Sequence, residues 1–133
     1  MKVLAVDLGG KRTGFAISDP QEKMALALPT LLNVTAADVA RVAEEQEAGT
    51  ILVGLPLNMD GTSGPAAERS LEFIEELRLH VTVPVLPWDE RLSTAEGEAR
   101  LRQAGLDRRE RRKRADVAAA VVILESYLAR KKP

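Results

Sequence analysis

A chain of 133 residues, 45% hydrophobic and 29% charged, has the length of one domain and enough apolar content to bury a sizeable core. It holds no cysteine and a single histidine, His80, which excludes disulfides, thiolate metal sites, thiol nucleophiles and any site needing two imidazoles. Site chemistry therefore falls to carboxylates, hydroxyls, lysine and arginine, while the formal net charge of -1 argues on its face against a nucleic-acid partner.

In chain order, Lys2 to Leu8 carries apolar residues on both faces, the pattern of a central strand covered on each side. Gly9 to Arg12 reads as a turn, Thr13 to Ser18 as a second strand, Asp19-Pro20 as a turn, and Met24 to Leu32 as containing a third strand. Connections this short favour an antiparallel meander. Thr35 and Asp38 form a variant capping box for a helix through Val39, Val42 and Ala43, with Gly49 as its stop. Thr50 to Val53 is a short strand, Gly54 to Gly64 a loop, and Pro65 the first residue of a helix burying Leu71, Ile74 and Leu77.

Val81 to Trp88 is a fifth strand, which Pro84 and Pro87 assign to a sheet edge. Ser93 and Glu96 cap a helix ending at Gly105, and a last helix from about Arg114 to Ala129 aligns Val117, Val121, Leu124 and Leu128. Three antiparallel strands followed by helical crossovers imply an α/β fold, a mixed sheet with helices on its faces. With no repeat or low-complexity linker, residues 1–133 read as one domain. No apolar run approaches the roughly 18 residues of a membrane span and no cleavage site follows Met1-Lys2, so the expected location is cytoplasmic, with no membrane partner.

Charge is unevenly distributed. Residues 1–88 hold 7 basic and 12 acidic side chains, whereas residues 89–133 hold 12 and 8. Much of the basic excess lies in DRRERRKR, Asp107 to Arg114, and more in Arg130 to Lys132. Such a run is either a solvated connector or a phosphate grip whose affinity falls steeply with salt.

Among the carboxylates, Asp7 is the most informative. An ionised group inside a buried strand costs several kcal/mol unless a cation neutralises it, whether Lys11, Arg12 or a metal. Asp89 and Glu90 end the fifth strand, where α/β proteins bind ligands; strand alternation allows at most one of them to share a site with Asp7, and a solvated turn is the plainer reading. Asp116 opens the last helix, where taken alone it is better read as a dipole partner or cap. Were the three to converge, they would suit hard divalent cations, since no conventional zinc site can be built here.

The stretch Asp7 to Gly14 could admit a phosphate but is no Walker A loop, because neither Ser/Thr nor a helix follows the lysine. In the loop Gly54 to Gly64, Asn58, Thr62 and Ser63 can donate to a phosphate, or can equally be turn chemistry. His80, at a helix end, reads as a dipole partner.

VDLGGKRTGFAISD (Val6 to Asp19), VGLPLNMDGTSGPAAE (Val53 to Glu68), DERLST (Asp89 to Thr94) and RADVAAAVVILESYL (Arg114 to Leu128) together resemble the YqgF/RuvX family of bacterial RNase H-like proteins across nearly the whole chain. The resemblance implies an RNase H-like five-stranded mixed sheet in order 3-2-1-4-5. It implies a nuclease with an acidic triad at Asp7, Glu90 and Asp116, holding Mg²⁺ or Mn²⁺ as a pair of ions. Its substrate would be nucleic acid: the 5′ end of pre-16S rRNA first, a branched-DNA Holliday junction second. Lys11 and Arg12 would steady the scissile phosphate, and Asn58, Thr62, Ser63, Arg91, Arg111, Arg112 and Arg114 are the further candidate substrate contacts. The arginine-rich run preceding Asp116 is denser than is usual in the family. Junction cleavage would call for a homodimer, RNA trimming only a monomer. Two other classes compete: a nucleic-acid-binding module without catalysis, and a nucleotide-binding ATPase fragment, for which 133 residues leave no second lobe.

Overall fold

A computed structural model describes residues 1–92 and 119–131. Among the described residues, β1 (Lys2–Leu8), β2 (Arg12–Ser18), β3 (Ala25–Leu32), β4 (Ala48–Leu55) and β5 (Val85–Asp89) form one sheet in the order β3-β2-β1-β4-β5. The meander β1-β2-β3 is antiparallel, while β4 and β5 run parallel to β1, as crossovers through helices require. The helices are α1 (Ala36–Glu45), α2 (Pro65–Arg78) and α3 (Ala119–Lys131).

Strand alternation divides the apolar residues between two cores. Leu4, Val6, Phe15, Ile17, Ile51 and Val53 pack with Val39, Ala43, Ile74 and Leu77 of α1 and α2. Val3, Ala5, Ala16 and Leu52 pack with Ala120, Ile123, Leu124 and Leu128 of α3 on the other face. β1 is therefore covered on both sides, which accounts for its continuous apolar run. Each fully buried Leu or Ile contributes about 1.5–3 kcal/mol, so both layers are needed to hold β1 in place.

The capping box at Thr35 forms as expected: the Asp38 amide donates to Thr35 Oγ1 at 3.2 Å and the Thr35 amide to Asp38 Oδ2 at 2.9 Å. Several boundaries differ from the sequence reading. Glu47, not Gly49, turns the chain after α1, with a left-handed φ of 58°. Gly49 lies in β4, where a side chain would collide with Met1, its Cβ falling 2.7 Å from Met1 Cε. β5 begins at Val85 because Pro84 has no amide for the ladder; its carbonyl instead accepts from the Ile51 amide at 2.9 Å. β5 does lie at the sheet edge.

In α2 the buried stripe is Ala67, Ser70, Ile74 and Leu77, and Leu71 is 40% exposed, one position off the face that meets the sheet. In α3 the stripe centres on Ala120, Ile123, Leu124 and Leu128, with Val121 half-buried beside it. The expected helix from Ser93 to Gly105, the residues 114–118 and Val117 lie outside the described residues.

Candidate active site

The site forms at the carboxyl end of β1, where this strand projects Asp7 to the α3 face of the sheet. Asp7 pairs in register with Gly14 of β2, whose missing side chain leaves the carboxylate open on that flank. A Cβ on Gly14 would sit 3.9 Å from Asp7 Cβ and 3.8 Å from Ala120 Cβ, so the start of α3 closes over the same spot. Around it lies a groove of about 340 Å³ lined by Asp7, Arg12, Gly14, Thr30, Ala119 and Ala120, among others.

β5 supplies the second carboxylate. Its final residues diverge as alternation requires: Asp89 turns toward Arg91, and Glu90, beginning the helical residues 90–92, turns toward Asp7. Trp88 fixes the strand end against α3 by meeting the Tyr127 ring edge-on, with centroids 5.5 Å apart. Gly54 of β4 makes the space that Glu90 fills. A Cβ there would lie 2.9 Å from Ile123 Cδ1 and 3.0 Å from Glu90 Cδ.

The two half-buried carboxyls interact directly. Burial and the charge of Asp7 push the Glu90 carboxyl up to about 7, and a hydrogen bond links the two carboxyls. Burial also raises Asp7, although the bond from Glu90 partly opposes this. Two acids held this close in a low-dielectric site cannot both ionise without a cation.

Arg91 clamps the neighbouring loop. It donates through Nε and Nη2 to Asp89, at 3.1 and 2.7 Å, and through Nη1 to the Met59 carbonyl at 3.1 Å. This pairing holds the Asp89 carboxyl below the usual carboxylate range. In the loop, Asn58 Nδ2 donates to Thr62 Oγ1 at 3.0 Å, and Thr62 Oγ1 donates to Asp60 Oδ1 at 2.6 Å. Gly61, at φ 88°, permits the tight turn.

Of the expected site residues, the structure brings together Asp7, Glu90 and Arg12, with Lys11 exposed in the adjoining turn. Lys11 and Arg12 have no ion-pair partner among the described residues. Arg91 binds Asp89 beside the site, Asn58 and Thr62 bind within their own loop, and Ser63 is exposed there. Asp116, Arg111, Arg112 and Arg114 lie outside the described residues. No group of three or more potential metal-ligating side chains occurs among the described residues, so what is seen is a pair. The sequence reading missed Gly54, although a glycine closing the apolar run Ile51 to Val53 is itself a sign of close approach.

A mixed sheet in this order, with carboxylates gathered at the end of its central strand, defines an RNase H-like protein. The fold is similar to that of RuvC from Thermus thermophilus, solved in complex with Holliday junction substrate, over 98% of this chain and 95% of that one (TM-score 0.60, 17% identity). It is also similar to the fowlpox virus Holliday junction resolvase, over 98% and 99% (TM-score 0.57, 15% identity). The chain belongs to the RuvX family, described as "Holliday junction resolvase", whose profile matches residues 1–130. A relative from Anaeromyxobacter sp. (strain K), 44% identical over the full length of both chains, carries the name "Putative pre-16S rRNA nuclease".

Proposed function

We propose that this chain is a divalent-metal nuclease that hydrolyses phosphodiesters in structured nucleic acid, acting in bacterial ribosome biogenesis on the 5′ end of pre-16S rRNA. The observation that carries the reading is the Asp7-Glu90 pair, two half-buried carboxyls brought against each other at the carboxyl end of the central strand. The donor set fits Mg²⁺ or Mn²⁺: both groups are hard oxygen donors whose mutual repulsion a cation relieves better than a proton does. Asp7 and Glu90, with Asp116 as the third carboxylate, would hold the metal, a pair of ions in the two-metal arrangement. When bound, such ions polarise the phosphodiester and provide a strong nucleophile from water at neutral pH.

The protein's own residues do the remaining work. Arg12, on the groove wall beside Asp7, orients the scissile phosphate, and Lys11 adds charge at its mouth. Glu90 would hold a cation beside Asp7 in its ionised form. Asn58, Thr62, Ser63, Arg91, Arg111, Arg112 and Arg114 are the wider substrate contacts in this reading. An rRNA-processing role carries a cytoplasmic location with it. The structural finding on this point is that, among the described residues, no helix is long and apolar enough to cross a membrane.

Asp7→Asn should abolish cleavage of a precursor-RNA 5′ leader in Mg²⁺ or Mn²⁺ while leaving nucleic-acid binding largely intact. Full cleavage by that variant overturns the site. The same assay run on a four-way DNA junction tests the second reading, which the family description favours. Paired, concerted cuts by a homodimer would identify a junction resolvase; cleavage of RNA alone by a monomer would identify a processing nuclease. Binding without products from any substrate would leave a non-catalytic nucleic-acid-binding module.

A further inference from the structure

A second cavity, of about 390 Å³, lies on the opposite face of the β1-β2 hairpin. It is bounded by Leu8, Gly9 and Gly10, which directly follow Asp7, and by Thr13, which follows Arg12. Pro56, Ala66, Arg69, Ser70 and Phe73 form its α2 side. Three features distinguish it from a packing gap.

First, Thr13 and Ser70 are each only 3% exposed and both line the cavity, yet their hydroxyls have no hydrogen-bond partner among the described residues. The polar atoms sealed away without a partner are, among the described residues, Trp88 Nε1 and Ser126 Oγ, so the Thr13 and Ser70 hydroxyls open onto the cavity, where an occupant can accept from them. Second, α2 begins here without a side-chain cap: Gly64 is its N-cap, Pro65 follows, and Ala66 lines the cavity. Its first amides are left without a side-chain partner, and the positive end of its dipole favours an anion at this end of the cavity. Third, Arg69 is an exposed cation with no ion-pair partner among the described residues, and no acidic residue lines the cavity. The cavity between the end of α1 and the segment before β5, lined by Glu44, Glu47 and His80, has the opposite character.

We propose that this cavity is a phosphate subsite holding a non-scissile backbone phosphate of the bound nucleic-acid strand, through the α2 amides, Arg69, Ser70 and Thr13. The proposal rests on the nuclease reading, because the two sites share one hairpin. Asp7 and Arg12 face α3, Leu8 and Thr13 face α2, and the Gly9-Gly10 turn joins them. A Cβ on Gly10 would meet nothing within 4 Å, so a strand can pass over the turn from one face to the other.

The test titrates the isotopically labelled full chain, without divalent ions, with inorganic phosphate and separately with a single-stranded RNA dodecamer, following backbone amides by NMR. Both probes should shift Gly9, Gly10, Ala66 and Ser70. Ala66→Asp, which favours the helix dipole but repels phosphate, should weaken RNA binding about tenfold without lowering Tm. Arg69→Ala should weaken it by a similar factor and Arg69→Lys by less. Silence of these amides toward both probes, or affinities unchanged within twofold in both Ala66→Asp and Arg69→Ala, overturns the subsite and leaves the cavity to water. Shifts with inorganic phosphate but not with RNA overturn its assignment to the substrate strand. If the wild type cleaves no nucleic acid while RNA still shifts these amides, the nuclease reading fails and the subsite stands.

Discussion

Glu90 acts as it does because three neighbours shape its surroundings. Gly54 gives it room, Ile123 dries one side, and Asp7 supplies the charge that keeps it protonated. Gly54→Ala is accordingly the most selective probe of the site. The added methyl would meet Ile123 Cδ1 at 2.9 Å and the Glu90 Cδ and Cγ at 3.0 and 3.1 Å, all side-chain atoms and none of them backbone, so Tm should change little while Glu90 is displaced. A displacement near 1 Å in a catalytic group lowers turnover by roughly 10- to 100-fold. Steady-state cleavage rates beside a melting curve check this, and normal turnover would show that Glu90 need not sit where it does. Asp7 stood out in the sequence as a carboxylate within an apolar strand, and the structure places it half-buried against Glu90. The choice between Asp89 and Glu90 came from the family resemblance and not from the strand pattern, because alternation says that adjacent carboxylates diverge without saying which one faces Asp7.

Between elements, Arg91 links the end of β5 to the loop before α2. Its guanidinium is forked onto Asp89 and reaches the Met59 carbonyl, coupling a sheet edge to a turn 32 residues earlier. Arg91→Ala should loosen that turn more than it destabilises the fold. Amide hydrogen exchange at Gly61 and Thr62 is expected to accelerate at least several-fold while the β1 and β4 amides remain protected. Uniform acceleration throughout would mean that the clamp supports the whole sheet instead. Such a link is invisible in the sequence, where the loop Gly54 to Gly64 reads as phosphate donors or turn chemistry and Arg91 as a candidate substrate contact. The α1 cap, by contrast, was readable from Thr35 and Asp38 because both partners lie within four residues of chain.

For the molecule as a whole, the acidic pair makes stability depend on pH in a direction opposite to that of ordinary surface carboxylates. Glu90 rises from 4.5 to about 7 on folding, so between those values the folded chain holds a proton that the unfolded chain releases. The corresponding stabilisation is complete below about pH 4.5 and is lost as pH rises through about 7. Because Glu90 is only half-buried, the effect is discounted to the order of 1 kcal/mol, several degrees in Tm. Thermal melts in chelator from pH 5 to 8 should show Tm falling for the wild type and a flatter profile for Glu90→Gln. Mg²⁺ or Mn²⁺ should restore more stability at pH 8 than at pH 5, because the cation and the proton compete for the same oxygens. Equal slopes in both proteins would remove Glu90 as the cause.

Composition and local pattern by themselves determined the fold class, the meander, the edge position of β5, the absence of thiol and conventional zinc chemistry, and that a carboxylate, Asp7, interrupts the apolar run of the central strand. These follow from periodicity, turn chemistry and residue type, which act over a few residues. Beyond the family resemblance, which already named Glu90, tertiary structure alone decided that Glu90 meets Asp7 while Asp89 turns to Arg91, that Gly54 is the space between strand and helix, and that Thr13 and Ser70 face one cavity from separate elements. Those facts depend on contacts between residues tens of positions apart, whose distances are set by how α2 and α3 pack on the two faces of the sheet.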